Sequence, residues 1–328
     1  MPENHIICVG AVYIDTILTV PHYPNEDEKL RAKGITRRRG GNTPNTLEVL
    51  TQLLEHDPEK SKNNASHLHL VSILPAKNSE AVKFVRDSLP TVNIDSASIF
   101  REDHREAASS YIIQSQETLS RTIVSVNDLP EMMEHEFIAK MEENARAWWD
   151  GWFHFEGRIP DVILPCTHFL RNICDNVTIS VECEKPERTE MATVAKFAHV
   201  VFYSKLWAQK NGYSDPRSFL EAQIPATRVG AVLCCTWGAG GATAVKKGDE
   251  HIWAHADAWK VPGSQDKPVV DTIGAGDTFI AGMLFALKNH HDWTLARKLE
   301  FANQLAGRKV LQEGFDNLGR SMWELGSI

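Results

Sequence analysis

Residues 269–287 of this chain, VVDTIGAGDTFIAGMLFAL, leave little choice of local structure. Val269 and Val270 read as the end of a buried strand, Asp271 and Thr272 turn the chain, and Gly274-Ala275-Gly276 carry it through a tight bend. From Asp277 onward the pattern is helical: Phe279, Ile280, Met283, Leu284 and Leu287 recur at three- and four-residue spacing on one face. The first N–H groups of such a helix have no partner within it, and the peptide dipoles add partial positive charge there. Glycines let a ligand approach those groups closely. The place suits an anion, phosphate above all. Asp277 falls in the first helical turn, beside that anion. A carboxylate there repels phosphate, which a base taking a proton from a hydroxyl as it attacks phosphorus would explain. The plainer reading is an acid favoured by the helix dipole, above glycines that merely turn the chain. No Gly-Lys-Ser/Thr follows the glycines, so this is not a Walker A loop.

A chain of 328 residues has ample length for a core, as one large α/β domain or two smaller ones. Its 42% hydrophobic content argues for a globular protein. The net charge of -8 gives no basic nucleic-acid face; Arg37-Arg38-Arg39, the one dense basic run, leads straight into Gly40-Gly41-Asn42. No stretch approaches the roughly 20 apolar residues a membrane span needs. The first residues are polar and acidic and enter a strand at once, so no secretory leader is expected. The six cysteines (Cys8, Cys166, Cys174, Cys183, Cys234, Cys235) show no zinc spacing and mostly lie in apolar runs, as reduced core residues do. A cytoplasmic protein is expected, with the sequons at residues 64–66 and 176–178 unused.

Strands are expected at 5–10 and 12–20, the second interrupted by Asp15. That carboxylate is either a solvated strand residue or points into a pocket past the first strand, where one Asp can accept two hydroxyls; the motif context favours the pocket. Thr43 and Pro44 read as N-cap and first residue of a helix that buries Leu47, Leu50 and Leu54, with Asn42 and Asn45 flanking its start. Residues 55–66 read as a surface loop, 68–74 as a strand and 79–89 as a helix. Strands at 109–114 and 121–126, joined by a polar turn, could form a small sheet with the extended 12–38 region. A helix over 131–149 leads to a strand at 151–155. Helices around 162–174 and 187–197 then alternate with strands at 177–181 and 199–202, and a further helix precedes a strand at 230–236. That alternation argues for a parallel sheet with helices on both faces. Segments 242–245 and 251–254 read as a hairpin.

The string Asp-Thr-x-Gly-Ala-Gly-Asp-Thr-Phe resembles the C-terminal signature of the PfkB/ribokinase family of carbohydrate kinases, and Gly40-Gly41-Asn42 with Asn45 resembles its N-terminal one. The ordered segments Arg121-Thr122-Ile123-Val124, His154-Phe155-Glu156-Gly157-Arg158, Val181-Glu182-Cys183-Glu184-Lys185-Pro186 and Gln312-Glu313-Gly314-Phe315-Asp316 resemble the ketohexokinase (fructokinase) branch over nearly the whole chain. The resemblance implies an α/β fold: a ribokinase-like three-layer sandwich with a mostly parallel central sheet and a small β-sheet lid. It implies one kinase domain over residues 1–328, with the lid formed from about 12–39 and 108–127 and a homodimer clasped through the lids. It implies transfer from Mg-ATP to a primary hydroxyl, C1 of fructose or a similar ketose, and leaves potassium dependence open. Ribose, nucleoside or modified-sugar phosphorylation, or a non-catalytic sensor on the same fold, are the alternatives. A dinucleotide oxidoreductase fits poorly, since Gly10-Ala11-Val12-Tyr13 lacks the glycine fingerprint.

Carried onto this sequence, the resemblance gives Asp15, Gly41, Asn42 and Asn45 the sugar hydroxyls, with Ser120 in the sugar neighbourhood. It makes Asp277 the base, and has Gly274, Ala275 and Gly276 give backbone N–H groups to the transferring phosphoryl. Arg121 is the lid arginine near that group, or else an exposed strand residue in a surface ion pair. Thr236, Gly238 and Gly241 belong to the nucleotide-side loop, and Lys205 is a nucleotide-side lysine or a solvated one. Ser120 and Ile280 stand where the branch usually has Asn. Ser204-Lys205-Leu206-Trp207 stands where many members carry Asn-x-x-Glu for hydrated magnesium, which leaves Glu182 or Glu184 to orient the metal's waters. Residues 259–268 form a longer loop than usual.

Overall fold

The computed structural model describes residues 4–59, 66–118, 120–174, 176–261 and 268–323. Along the chain come β1 (Asn4–Val9), β2 (Tyr13–Val20), β3 (Gly34–Gly40), α1 (Asn42–His56), β4 (Ser66–Val71), β5 (Ile73–Pro75), α2 (Glu80–Ser88), β6 (Ile99–Arg101), β7 (Ser109–Ser115) and β8 (Arg121–Val126). Then follow α3 (Glu134–Glu143), α4 (Ala145–Trp148), β9 (Trp152–Phe155), α5 (Pro160–Ile173), β10 (Thr178–Cys183), α6 (Met191–Ala195), β11 (Val200–Tyr203), α7 (Lys205–Lys210) and α8 (Pro216–Gln223). The chain closes with β12 (Val232–Thr236), β13 (Ala242–Lys246), β14 (Ile252–Ala256), α9 (Ala275–Asn289), α10 (Leu295–Lys309) and α11 (Leu318–Ser321). Side-chain caps set several helix starts: Ser79, Ser204, Asp215 and Thr294 each accept from a backbone N–H in the first turn of α2, α7, α8 and α10.

Eight strands form the central sheet in the order β14-β13-β12-β11-β10-β9-β1-β4. Pairing is parallel from β4 to β12, and β12–β13–β14 close one edge antiparallel. The inner strands are apolar at nearly every position because both faces are covered. Ile6 and Cys8 pack on one side with α1, α9 and α10; Ile7 and Val9 pack on the other with α3 and α5. All six cysteines are buried, none in a disulfide. Among the described residues no helix is long and apolar enough to cross a membrane.

A separate four-stranded sheet, β3-β2-β7-β8, is built from the expected segments. Side chains alternate along it. Asp15, Ser110, Ile112, Arg121 and Ile123 share one face, and Ile35, Tyr111, Val124 and Val126 share the other, where they are exposed. The same alternation splits the arginine run: Arg38 faces the side of Asp15, while Arg37 and Arg39 share the other face, Arg37 over the Phe84 ring and Arg39 buried against Asn45 and Glu48 of α1.

Several expected elements differ. The 131–149 helix is two pieces, α3 and α4, because Asn144 leaves helical geometry and its amide bonds back to the Lys140 carbonyl. The 68–74 strand is also two. After β4, Ser72 bonds to Ser98, and β5 pairs with β6 in a sheet of its own. The 187–197 helix shrinks to α6. Thr43 does not cap α1: the helix starts at Asn42 behind Gly41, and Pro44 sits in its first turn, where a missing N–H costs nothing. The 55–66 loop begins inside α1, and residues 60–65, with most of the 64–66 sequon, lie outside the described residues, as do 262–267 of the 259–268 loop.

Candidate active site

Helix α9 begins at Ala275, with Gly274 as its N-cap in the left-handed region at φ 76°. Asp277 is therefore the third helical residue, as its spacing after the glycines requires, and it is 8% exposed. A Cβ on Gly276 would meet nothing within 4 Å, so open space lies over that peptide. The approach differs from expectation. Val269 and Val270 are no buried strand; they are 60% and 54% exposed. This segment runs past the C-terminal end of α10, where Val270 N–H bonds to the Val310 carbonyl, and among the described residues no strand pairs with it. Nor is α9 amphipathic. Every residue from Asp277 to Ala286 is buried, since α1 and α10 pack on it from two sides.

A cavity of about 430 Å³ opens over this helix start, at the C-terminal ends of the parallel strands. Asp15 from β2, Gly41 after β3, Asn42 and Asn45 from α1, Arg121 from β8, Glu182 from β10, and Gly274, Gly276 and Asp277 all line it. Residues spread over 260 positions of sequence meet there because β3 runs directly into α1 and α1 packs on α9. Asp15 is buried 3.6 Å from Arg38 Nε; burial raises its pKa, and Arg38 works against that rise. Arg121 is 41% exposed and reaches 3.9 Å from Asp271. Ser120 is not part of the lining. It sits in the β7–β8 turn with its hydroxyl 2.7 Å from that of Thr118.

Carboxylates crowd one wall. Asn42 Nδ2 donates to Glu182 at 3.0 Å and to Glu184 at 3.1 Å. Glu182 also pairs with the buried His154 ring at 3.0 Å. Glu156 accepts the Ala11 N–H at 2.8 Å. Burial pushes Glu182 up to about 8. Burial and the Glu182 charge push Glu156 up to about 7 and raise Asp277 well above the usual carboxylate range. No group of three or more His, Cys, Asp or Glu side chains with metal-binding geometry occurs among the described residues. Glu182 and Glu184, both bonded to Asn42, offer oxygen atoms of the kind that meet the waters of a hard divalent cation.

A second cavity, of about 670 Å³, adjoins the first and shares Thr236, Thr272, Gly276 and Phe279 with it. Thr236, Gly238 and Gly241 line it, as does Ala275 on the α9 side and Trp259, Asn303 and Leu311 farther out. Lys205 lines neither cavity; it starts α7 with its ammonium 5.5 Å from the Trp237 ring centre. Sequence reasoning missed Arg39, Lys309 and a role for Asp271. Lys309 is fully buried and donates to the Asp271 carboxylate at 2.8 Å and the Gln312 carbonyl at 3.2 Å. Asp271 in turn accepts the Ile273 N–H at 2.9 Å, so it braces the glycine turn. A basic residue in the last turn of a helix is ordinary, and nothing in sequence marks this one as buried.

The model of the pfkB family of carbohydrate kinases matches residues 3–319. Ketohexokinase of Mus musculus is 29% identical over 325 residues, covering 97% of this chain and 100% of its own. Among solved structures, ribokinase from Cryptococcus neoformans in complex with ADP superposes with a TM-score of 0.68 at 16% identity, covering 98% of each chain. Ribokinase from Thermotoga maritima superposes with a TM-score of 0.69 at 15% identity, covering 98% of this chain and 99% of its own. The fold is ribokinase-like. The family match takes in the central sheet, the small sheet and both cavities, and the protein belongs to the PfkB family of carbohydrate kinases.

Proposed function

We propose that the protein transfers the γ-phosphoryl group of ATP to a primary hydroxyl of a small sugar, C1 of fructose or a similar ketose. The observation that carries this reading is Asp277 at the start of α9, at the boundary of two cavities with Gly276 open to both. The nucleotide occupies the cavity of Thr236, Gly238 and Gly241, the sugar the cavity of Asp15 and Asn42. The transferring phosphoryl lies between them, over the Gly274–Gly276 backbone. Asp15 and the amide oxygen of Asn42 accept from sugar hydroxyls, and together they aim the acceptor hydroxyl at phosphorus. Asp277 takes its proton. Arg121 and the α9 N-terminus stabilise charge on the phosphoryl oxygens. Glu184 and Glu182 would orient the waters of a magnesium ion bound with the nucleotide, which would supply further charge neutralisation. The four-stranded sheet acts as a lid that keeps water from the phosphoryl group, and its exposed apolar face pairs with a second copy of the chain. The ketose assignment draws support from the ketohexokinase relative.

The test is ADP release with Mg-ATP against fructose, tagatose, psicose, ribose, glucose and adenosine, with Asp277→Asn as control. Turnover on fructose or another ketose is expected, falling by about 10² to 10⁴ in the control while both ligands still raise the melting temperature. Turnover on ribose or adenosine alone would move the assignment to another sugar or a nucleoside. Ligand binding without ADP release would make the protein a sensor.

A further inference from the structure

His199 enters β11 at the end of the central sheet opposite the two cavities. Both neighbouring strands hold its backbone. Its N–H donates to the Ile179 carbonyl on β10 at 2.7 Å, and its carbonyl accepts the Val232 N–H on β12 at 2.9 Å. The ring is held as well, because Nδ1 accepts the Ile179 N–H at 3.0 Å. Burial and the charges of Arg228 and Arg171 hold this imidazole down to about 4, so it is neutral at neutral pH. With Nδ1 accepting, the ring proton sits on Nε2. Arg228 Nη1, which can only donate, is turned on that same Nε2. Two N–H donors therefore face each other without an acceptor. Arg171, exposed in the last turn of α5, adds a second guanidinium, and its charge reaches both His199 and Arg228. Among the described residues no carboxylate pairs with either arginine. Arg39, Arg158 and Lys309, by contrast, each hold an acid, in a chain whose net charge is -8.

We propose that Arg171, His199 and Arg228 bind a phosphate dianion, free or as a monoester, at the end of the sheet opposite the candidate active site. An oxyanion among these groups accepts from His199 Nε2–H and from both guanidiniums, so the two opposed donors gain a common acceptor. The donors come from three separate places: α5, the start of β11 and the segment before β12. The tetrahedral oxygens of a phosphate can meet three directions at once, whereas a planar carboxylate presents two, and two guanidiniums match the charge of a dianion. The organic part of a monoester would meet Val229, 76% exposed beside Arg228, and the Phe197 ring, whose centre lies 5.6 Å from Arg171 Cζ. The site shares no residue with either cavity and does not depend on the kinase reading.

The experiment is calorimetric titration of the full chain with inorganic phosphate and with glycerol 2-phosphate, at constant ionic strength in chloride. AMP-PNP and magnesium are present to fill the nucleotide cavity. Saturable binding with a dissociation constant of about a millimolar or below is expected, and the tighter of the two probes tells a free ion from an organic phosphate. Arg228→Gln and Arg171→Gln should each weaken it about tenfold or more. Arg146→Gln, which removes an equal charge from α4, should leave it unchanged. Arg171 is exposed, so its variant carries the test if Arg228→Gln fails to fold. His199→Asp puts an acid where the ligand would be. Its melting temperature should exceed that of the phosphate-free wild type and respond no further to phosphate. A wild type that binds neither probe, equal weakening in Arg146→Gln, or a His199→Asp variant that binds phosphate as the wild type does would each overturn the inference.

Discussion

Glu182 sits where burial is costly to its ionised form. It is 3% exposed, bonded to His154 and Asn42, and titrates at about 8 against an ordinary 4.5. The fold therefore holds its proton more tightly than the unfolded chain does. That contribution to stability is fully present below the ordinary pKa and is lost as pH rises toward about 8. Glu182→Gln has no proton to lose. Its melting temperature minus that of the ligand-free wild type should rise with pH between those limits, by several degrees in all, and then level off. Glu156 titrates in both proteins, and the part of its rise that comes from the Glu182 charge is absent in the variant and adds to the same trend. A difference independent of pH would show that Glu182 ionises in the fold as it does in water.

Two glycines show how an element's start serves the site. Gly41 precedes α1 with φ 105°, and a Cβ there would come 2.2 Å from the Ala11 carbonyl oxygen. Gly41→Ala should lose about 2 kcal/mol or more of stability, read as a lowered denaturation midpoint. Gly276 lies inside the first turn of α9 with open space around it, so Gly276→Ala should be neutral or gain about 0.5–1 kcal/mol from helix propensity. Its methyl group would stand in the proposed path of the transferring phosphoryl, and on that reading turnover should fall although the fold is firmer. Equal turnover in Gly276→Ala would mean that the phosphoryl does not come that close.

The apolar face of the small sheet raises a question for the whole molecule. Ile35, Tyr111, Val124 and Val126 are between 46% and 71% exposed on one side of four strands whose other side carries cavity residues. Such a patch on a free monomer is an aggregation hazard and on a dimer an interface. Scattering at micromolar concentration should give twice the chain mass for the wild type. Val124→Glu, a change at an exposed position with no core to disturb, should give the monomer with its melting transition intact. A monomeric wild type would remove the dimer.

The glycine string, the spacing to Asp277, the βα alternation and the hairpin at the sheet edge were all legible in the sequence, because each depends on neighbours within a turn or a strand. Asp15, Gly41, Asn42, Arg121 and Asp277 were singled out by resemblance to the family's motifs, and the fold brings all five to one cavity. The partners of each residue were not legible. Arg37-Arg38-Arg39 is one basic run in sequence, but α1, which follows β3 directly, buries the third arginine against Asn45. Asn45 and Asp277 are 232 positions apart, and only the packing of α1 on α9 makes them neighbours. Val269 and Val270 have the composition of a buried strand, yet among the described residues no strand pairs with them. Composition and periodicity record what a residue prefers. Burial, charge state and hydrogen-bond partner depend on what the fold brings against it, and those decide the chemistry here.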